Sequence, residues 1–167
     1  MPANTQYLVA ALGDSVIVSI HGRAVYTTCR EFGEFLDKIA KNDAVKRLIL
    51  DMKSCDGVDS TVLGLIAGAS GDLKARGADL ILQRCNERIA EVVVNLGLCA
   101  LLTFIPGEQV AAGTEAILAD GVASSEGASP ATNHTILQAH ETLMEANPEN
   151  VARFKQVVDF MRADLGI

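Results

Sequence analysis

The sequence predicts an α/β fold in which helices pack on a mixed, mostly parallel sheet, followed by a C-terminal helical hairpin. Short apolar runs alternate with helix-period patterns over about residues 5–107, in the order β-β-α-β-α-β-α-β. Strands that are separated by a helix are expected to lie parallel in one sheet. Beyond a stretch of small, polar residues, two more segments with helical periodicity follow.

The first two strands are predicted at Tyr7–Leu12 and Ser15–His21, because Gly13-Asp14 between them is a typical hairpin turn. A helix is expected next, with Thr27 or Thr28 as its N-cap. Its apolar face has the spacing i, i+3, i+4, i+7 and consists of Phe32, Phe35, Leu36 and Ile39.

A strand, a loop and a second helix come next. Arg47–Met52 is predicted as a strand covered on both faces, because its apolar run is continuous. Ser54–Asp59 is interpreted as a polar loop. The helix that begins at Ser60 is expected to end near Gly77, which suits a left-handed C-terminal cap. Its buried face is predicted to comprise Val62, Ile66, Ala69 and Leu73.

The same pattern repeats once more. Asp79–Gln83 is predicted as a buried strand, and Asn86 as the cap of a third helix that ends at Gly97. Leu101–Ile105 is predicted as the last strand. The inner face of the third helix is predicted to comprise Ile89, Val92, Val93 and Leu96.

The chain is expected to divide into a domain over residues 1–110, a linker over 111–130 and a helical hairpin over 131–167. Glu115–Ala119 is predicted to form one or two helical turns. The segment 121–129 is small and polar, which is typical of a linker.

The hairpin is predicted from two helix-start signals, Ser129-Pro130 and Asn147-Pro148. Each predicted helix has one apolar face, so the pair must bury it on the domain, on a copy of itself or on another protein. These faces comprise Ile136, His140 and Leu143 in the first helix, and Val151, Phe154, Val158, Met161 and Leu165 in the second.

Composition excludes several classes of function. The 167 residues carry a formal net charge of −7 and no basic stripe, so we expect no nucleic-acid partner. No apolar run reaches the roughly 18 residues of a membrane span, and the N-terminus lacks the basic start of a signal peptide. We therefore expect no membrane insertion.

The four cysteines, Cys29, Cys55, Cys85 and Cys99, show no CxxC spacing and have no histidine close in sequence. We expect them to be reduced thiols that serve as small apolar residues, which favours a cytoplasmic location. A redox role for Cys55 is a weaker alternative.

No enzyme active site, cofactor site or metal site is predicted. His21, His134 and His140 are scattered, and the last two do not share a helical face, so His140 is expected to pack in the hairpin interface. The sequence has no G-x-S-x-G elbow and no P-loop, and it suggests no nucleophile–base pair. The glycines of Gly64-x-x-x-Gly68 and Gly71 are interpreted as positions of close helix packing, not as a phosphate cradle.

One segment resembles the signature of a known family. Leu48-Ile49-Leu50-Asp51 is followed by Gly57-Val58-Asp59-Ser60-Thr61-Val62-Leu63-Gly64, which is similar to the STAS family of anti-sigma factor antagonists and related domains of sulfate transporters. Lys74-x-Arg76-Gly77-x-Asp79-Leu80-Ile81-Leu82 resembles the family's following helix end and strand. The resemblance covers about the first two-thirds of the chain and implies the STAS fold.

The resemblance also implies site residues and partners. Ser60 would be the phosphorylated residue, with Thr61 as the alternative, and the partner surface would include Asp59, Val62 and Leu63. The family's partner-contacting Gly-Asp-Leu-Asp region is replaced here by a segment that begins Gly22-Arg23. The implied partners are a serine kinase/anti-sigma factor of the histidine-kinase-like ATPase type and a PP2C-type phosphatase.

Local chemistry also favours a switch at Ser60. It lies at a helix start, where free N–H groups and the helix dipole favour an anion. A phosphate adds about −1.5 to −2 charges beside Asp51, Asp56 and Asp59, which would repel a partner matched to the unmodified surface.

Three alternatives stay open. Asp59 and Ser60 can simply cap the helix. The domain can be an unphosphorylated scaffold or a subunit of a larger assembly, such as a transport complex, and the hairpin can mediate a homodimer. An enzyme, such as a nucleotide hydrolase, is the weakest alternative.

Overall fold

The structure is a computed structural model that describes residues 5–114, 123–127 and 129–167. Within these residues, seven strands alternate with five helices. The strands are β1 (Gln6–Leu12), β2 (Ser15–Ala24), β3 (Arg47–Asp51), β4 (Cys55–Val58), β5 (Asp79–Gln83), β6 (Thr103–Ile105) and β7 (Ala123–Glu126). The helices are α1 (Arg30–Ala40), α2 (Ser60–Ala75), α3 (Glu87–Asn95), α4 (Asn133–Ala146) and α5 (Glu149–Leu165).

The sheet is mixed, and its central strands are parallel, as predicted. The strand order is β6-β5-β3-β2-β1-β7, and β4 pairs separately with the end of β2. Strands β2, β3, β5 and β6 run parallel, whereas β1 is antiparallel to both β2 and β7. The α/β fold class predicted from the sequence is therefore confirmed.

Both faces of the central strands are buried, which explains their continuous apolar runs. Leu48 and Leu50 face a main core that α1, α2 and α3 share. Ile49 lies on the opposite face, in a smaller cluster with Ile17, Ile81 and Ala111. This second cluster is closed by the chain that follows β6.

Strand β4 was not predicted, because its four residues, Cys55–Val58, include Asp and Gly and have no strand-like pattern. It continues the sheet at the end of β2, where the register shifts between Gly22 and Arg23. Those two residues, predicted to lie in a loop, therefore belong to β2.

Two predicted helix starts are wrong. Helix α1 begins at Arg30, because the Thr28 hydroxyl instead bonds within a turn to the backbone of Val25. Helix α4 begins at Asn133 rather than at Ser129-Pro130, with Thr132 as its N-cap.

The segment between the domain and the hairpin includes more than a linker. Residues 123–126 form β7, which adds an antiparallel edge strand to β1. The helical turns predicted at Glu115–Ala119 lie outside the described residues.

The hairpin docks on the rest of the chain through α4, which packs along α2. A second attachment lies at the start of α5. The buried Asn150 side chain donates to the Leu96 carbonyl (3.0 Å) at the end of α3 and to the Leu143 carbonyl (2.7 Å) in α4. The Arg153 guanidinium donates to the Asn95 carbonyl at 2.7 Å. Of the three surfaces that the sequence left open, the structure uses the domain.

No helix in the described part of the chain is long and apolar enough to cross a membrane. Among the same residues, no group of three or more His, Cys, Asp or Glu side chains could hold a metal ion.

A buried ion pair joins the ends of β3 and β5. Asp51 accepts two hydrogen bonds of 2.7 Å from the guanidinium of Arg84, and Gln83 donates a weaker one at 3.3 Å. The Arg84 backbone adopts a positive φ of 55°, which turns the chain immediately after β5. The neighbouring carboxylate raises the pKa of Arg84, so the guanidinium stays charged.

We predict that Asp51→Ala lowers the free energy of unfolding by about 3 kcal/mol, because it leaves a largely buried guanidinium without its partner. The matched control is Glu108→Ala, which removes the exposed pair with Lys53 and should cost about 0–1 kcal/mol. Urea denaturation of the three proteins gives these values. Equal losses in the two variants would contradict a structural role for the buried pair.

Candidate functional site

The N-terminus of α2 is fixed by Asp59. This residue has the extended backbone of an N-cap, and its Oδ1 accepts a hydrogen bond from the Val62 N–H at 3.0 Å. Its Oδ2 accepts from the Tyr26 N–H at 2.7 Å, in the segment that follows β2. Asp59 therefore both starts the helix and ties it to the end of β2.

Ser60 is the first residue of α2, and its half-buried hydroxyl contacts α4. Its Oγ lies 2.8 Å from His140 Nε2. His140 Nδ1 lies 2.7 Å from the Ile136 carbonyl, which can only accept, so Nδ1 carries the proton. In this tautomer Nε2 is the acceptor, and the Ser60 hydroxyl donates to it.

His140 is held in place on the other side by α5. Its ring meets the ring of Phe154 edge to face, with centroids 5.2 Å apart. The imidazole is buried, with 5 % of its surface exposed. The expectation that His140 packs in the hairpin interface is therefore confirmed, and the contact with Ser60 is an addition.

The pair of Ser60 and His140 corrects the view that the chain lacks a nucleophile–base pair. The distance allows proton transfer from the hydroxyl to the imidazole. The imidazole of His140 is buried, whereas Ser60 is half-buried. A cavity of about 240 Å³ on the same α2–α4 seam is lined by other residues, among them Gly64, Gly68 and Ala139.

The residues after Ser60 are buried. Thr61, the alternative acceptor, is inaccessible, as are Val62 and Leu63, which the resemblance placed in the partner surface. At the end of β2, Gly22 is also buried, whereas Arg23 is exposed. The surface next to Ser60 therefore consists of Arg23, Asp59 and neighbouring exposed residues, not of the α2 side chains that follow it.

Negative charge near Ser60 comes from fewer aspartates than the sequence suggested. Asp51 is neutralised by Arg84 beneath the surface. Asp56 is exposed, and Asp59 is partly buried with both oxygens hydrogen-bonded to backbone N–H groups. Two of the three aspartates therefore contribute to the charge that a phosphate would meet.

The thiols near the site are shielded. Burial raises the pKa of Cys29 and of Cys85 to about 12, and it also raises the pKa of Cys55. The Cys55 thiol lies 3.4 Å from the Gly57 carbonyl. Thiols that stay protonated at neutral pH are poor nucleophiles, which favours the interpretation as apolar residues over a redox role.

The sequence model of the STAS domain family matches residues 7–111, more than half of the chain. No curated protein matches the chain at a significant level.

Two solved structures are similar in fold, and a third matches at a lower score. The Bacillus cell fate determinant SpoIIAA in its phosphorylated form is 17% identical, with a TM-score of 0.51 over 60% of this chain and 91% of that chain. An anti-sigma factor antagonist from Mycobacterium paratuberculosis is 19% identical, with a TM-score of 0.50 over 60% and 84%. The anti-sigma factor antagonist SpoIIAA in its unphosphorylated form is 19% identical, with a TM-score of 0.49 over 60% and 88%. Each match leaves two fifths of this chain without a counterpart.

We predict that Ser60 and His140 are energetically coupled. Ser60→Ala removes the donor, and His140→Phe removes the acceptor while it keeps a ring against Phe154. A double-mutant cycle by urea denaturation should give a coupling free energy of about 1 kcal/mol, the usual contribution of one hydrogen bond. Additive effects of the two substitutions would mean that the hydrogen bond does not stabilise the docked hairpin.

We also predict that one thiol reacts rapidly with Ellman's reagent in the native protein. That thiol is Cys99, which is exposed. Because their pKa values are about 12, Cys29 and Cys85 should stay protonated and slow as the pH is raised from about 7 to about 9. Cys99→Ser should remove the fast phase; a fast phase that persists in this variant would refute the shielding of the other thiols.

Proposed function

Because this chain belongs to the STAS domain family, we propose that it is a regulatory binding module of the anti-sigma factor antagonist type, switched by reversible phosphorylation of Ser60. The observation that carries the proposal is the position of Ser60 as the first residue of α2, directly after the Asp59 cap. A serine at this point in a STAS domain is a hydroxyl that can take up a phosphate without disturbing the sheet.

Electrostatics supports a switch at this position. A phosphate at the start of a helix is stabilised by the helix dipole, so the domain tolerates the modification. The same group adds about −1.5 to −2 charges next to Asp56 and Asp59. A partner that fits the unmodified surface then meets like charge, which costs several kcal/mol at an interface.

The proposed partners follow from the family. The unphosphorylated form would bind a serine kinase/anti-sigma factor of the histidine-kinase-like ATPase type, which phosphorylates Ser60 and so releases itself. A PP2C-type phosphatase would restore the first state. Support comes from the fold similarity to antagonists, one of which is known in a phosphorylated form. We propose no enzymatic activity for the chain itself.

A second candidate is a scaffold that is never phosphorylated. One observation favours it: the half-buried Ser60 hydroxyl is hydrogen-bonded to His140 of α4, so it is not a free acceptor. In this alternative, the STAS domain over residues 1–110 and the hairpin over 131–167 form one rigid unit joined by the segment 111–130. Phosphorylation assays separate the two candidates.

We predict that a cognate kinase adds one phosphate to the wild-type protein and to Thr61→Ala, but none to Ser60→Ala. Each serine kinase of the proposed type from the same genome is incubated with the protein and ATP, and the product is followed by intact-mass spectrometry. Fragmentation should place the phosphate on Ser60, because Thr61 is buried. A phosphate elsewhere would refute Ser60 as the switch residue, and no phosphate with any of these kinases would favour the scaffold.

We further predict that Ser60→Asp weakens binding to the same kinase by about 100-fold or more, since several kcal/mol of repulsion corresponds to that ratio. Ser60→Asn is the matched control, because it has the same shape without the charge, and it should bind at least ten times more tightly than Ser60→Asp. Titration calorimetry gives the dissociation constants. Equal affinities of the Asp and Asn variants would argue against a charge-operated switch.

A further inference from the structure

Helices α2 and α4 lie in direct backbone contact. A Cβ atom placed on Gly64 would lie 2.6 Å from the carbonyl carbon of Ala139 and 2.7 Å from its Cα. One turn later, a Cβ on Gly68 would meet the Thr142 methyl at 4.0 Å. Any side chain at position 64 would therefore hold the helices apart, so this face of α2 is shaped to receive a helix.

The face that receives α4 is the one that begins at Ser60. Ser60, Gly64 and Gly68 lie four residues apart, so they form one stripe along α2. His140 follows Ala139 directly in α4 and reaches the Ser60 hydroxyl at 2.8 Å. A kinase has to enclose this hydroxyl to align it with a phosphate donor, and α4 already contacts the hydroxyl and leaves Ser60 half-buried.

The hairpin that contains α4 packs on the domain but lies outside it in the sequence. The STAS match ends at residue 111, before the hairpin begins. Helix α5 buries Asn150 and Val158 but leaves most of its surface exposed, including 71 % of Phe160. Helix α4 is packed more closely, with Leu143 in the main core, so it leaves α2 only through a local unfolding that spares the sheet.

We infer that α4 is a cover that shields Ser60 of the same chain and is held there in part by the hydrogen bond between Ser60 and His140. Ser60 becomes accessible when α4 leaves α2. The biological meaning of this cover rests on the proposed function, because it would decide when Ser60 can be phosphorylated. The physical part, the shielding of position 60, is independent of any kinase.

A thiol probe at position 60 measures the shielding directly. In the full chain, Ser60→Cys introduces the probe, and Cys99→Ser removes the exposed native thiol. The rate of reaction with Ellman's reagent then reports how often α4 is open. The same protein in concentrated urea gives the rate without shielding, and we expect the folded protein to react at least about 100-fold more slowly.

Gly64→Ala and Gly71→Ala provide a matched pair of variants, each made in the protein that carries Ser60→Cys and Cys99→Ser. Both place one methyl group in α2, and the gain in helix propensity is the same. The methyl at position 64 meets the α4 backbone, whereas the one at position 71 meets nothing within 4 Å, so the prediction of close packing at Gly71 is wrong. We expect Gly64→Ala to raise the labelling rate about tenfold, the effect of one substitution on a local opening equilibrium, and Gly71→Ala to leave it unchanged.

A second pair acts from the side of α4. Ala139→Arg places a charge in the contact, and Gln138→Arg places the same charge on the neighbouring exposed position. We expect rapid labelling in the former and slow labelling in the latter, with unchanged far-UV circular dichroism of the sheet domain. If either member of this pair does not fold, the glycine pair decides the question.

The outcomes separate the cover from the proposed function. Labelling at the unshielded rate in the parent protein, or equal rates in Gly64→Ala and Gly71→Ala, would overturn the cover. Faster labelling of position 60 in Gly64→Ala, together with no phosphorylation of Gly64→Ala with native Ser60 by any candidate kinase, would overturn the switch and leave the cover intact. If the cover and the switch are both correct, Gly64→Ala with native Ser60 should be phosphorylated about tenfold faster than wild type.

Discussion

The two-sided burial of α2 is the constraint on which the rest of the structure depends. Nine of its residues are buried, and they are spread around the helix rather than confined to one stripe. Val62, Ile66 and Leu73 belong to the core shared with the sheet. The glycine-containing side remains, and α4 covers it. A helix that is apolar all round has to be enclosed, so the docking of the hairpin follows from the composition of α2.

Asp59 connects the start of α2 to the other parts of the candidate site. It caps α2 and also accepts the Tyr26 N–H, and the Tyr26 carbonyl in turn accepts the Ala131 N–H at 2.7 Å. Ala131 lies two residues before the first residue of α4. A short chain of hydrogen bonds therefore joins the start of α2, the end of β2 and the lead-in to the hairpin. Ser60 lies at the centre of this arrangement, so its chemical state and the position of α4 are expected to influence each other.

Local patterns in the sequence determine most of the sheet and the identity of the candidate site. The continuous apolar runs of β3 and β5 and the turn at Gly13-Asp14 predict the central strands and the first hairpin. Asp59 and Ser60 are recognisable as a helix start from their residue types. The short strand β4 was missed, since its pairing with β2 comes from tertiary structure and its residues have low strand propensity.

The contact between Ser60 and His140 changes the interpretation most, and local sequence patterns could not predict it. Ser60 and His140 are 80 residues apart, and they meet because α4 crosses α2 at a glycine. The sequence does contain one signal for it. The run Leu63-Gly64-Leu65-Ile66-Ala67-Gly68 is apolar on every side, which predicts a second covering element but not its identity.

The cover also removes the conflict between the two candidate functions. A serine held by His140 beneath a packed helix favours a scaffold, whereas the same serine at a capped helix start in a STAS domain favours a switch. These properties are incompatible in a rigid molecule, but they describe two states of one molecule if α4 can leave. The Ser60–His140 hydrogen bond contributes about 1 kcal/mol to holding α4, and burial of Leu137 and Leu143 adds to it, so a partner has to outweigh both on binding. A partner that prefers the open state shifts the equilibrium by as much as its affinity for the two states differs, so the strength of the α2–α4 contact sets the threshold for signalling.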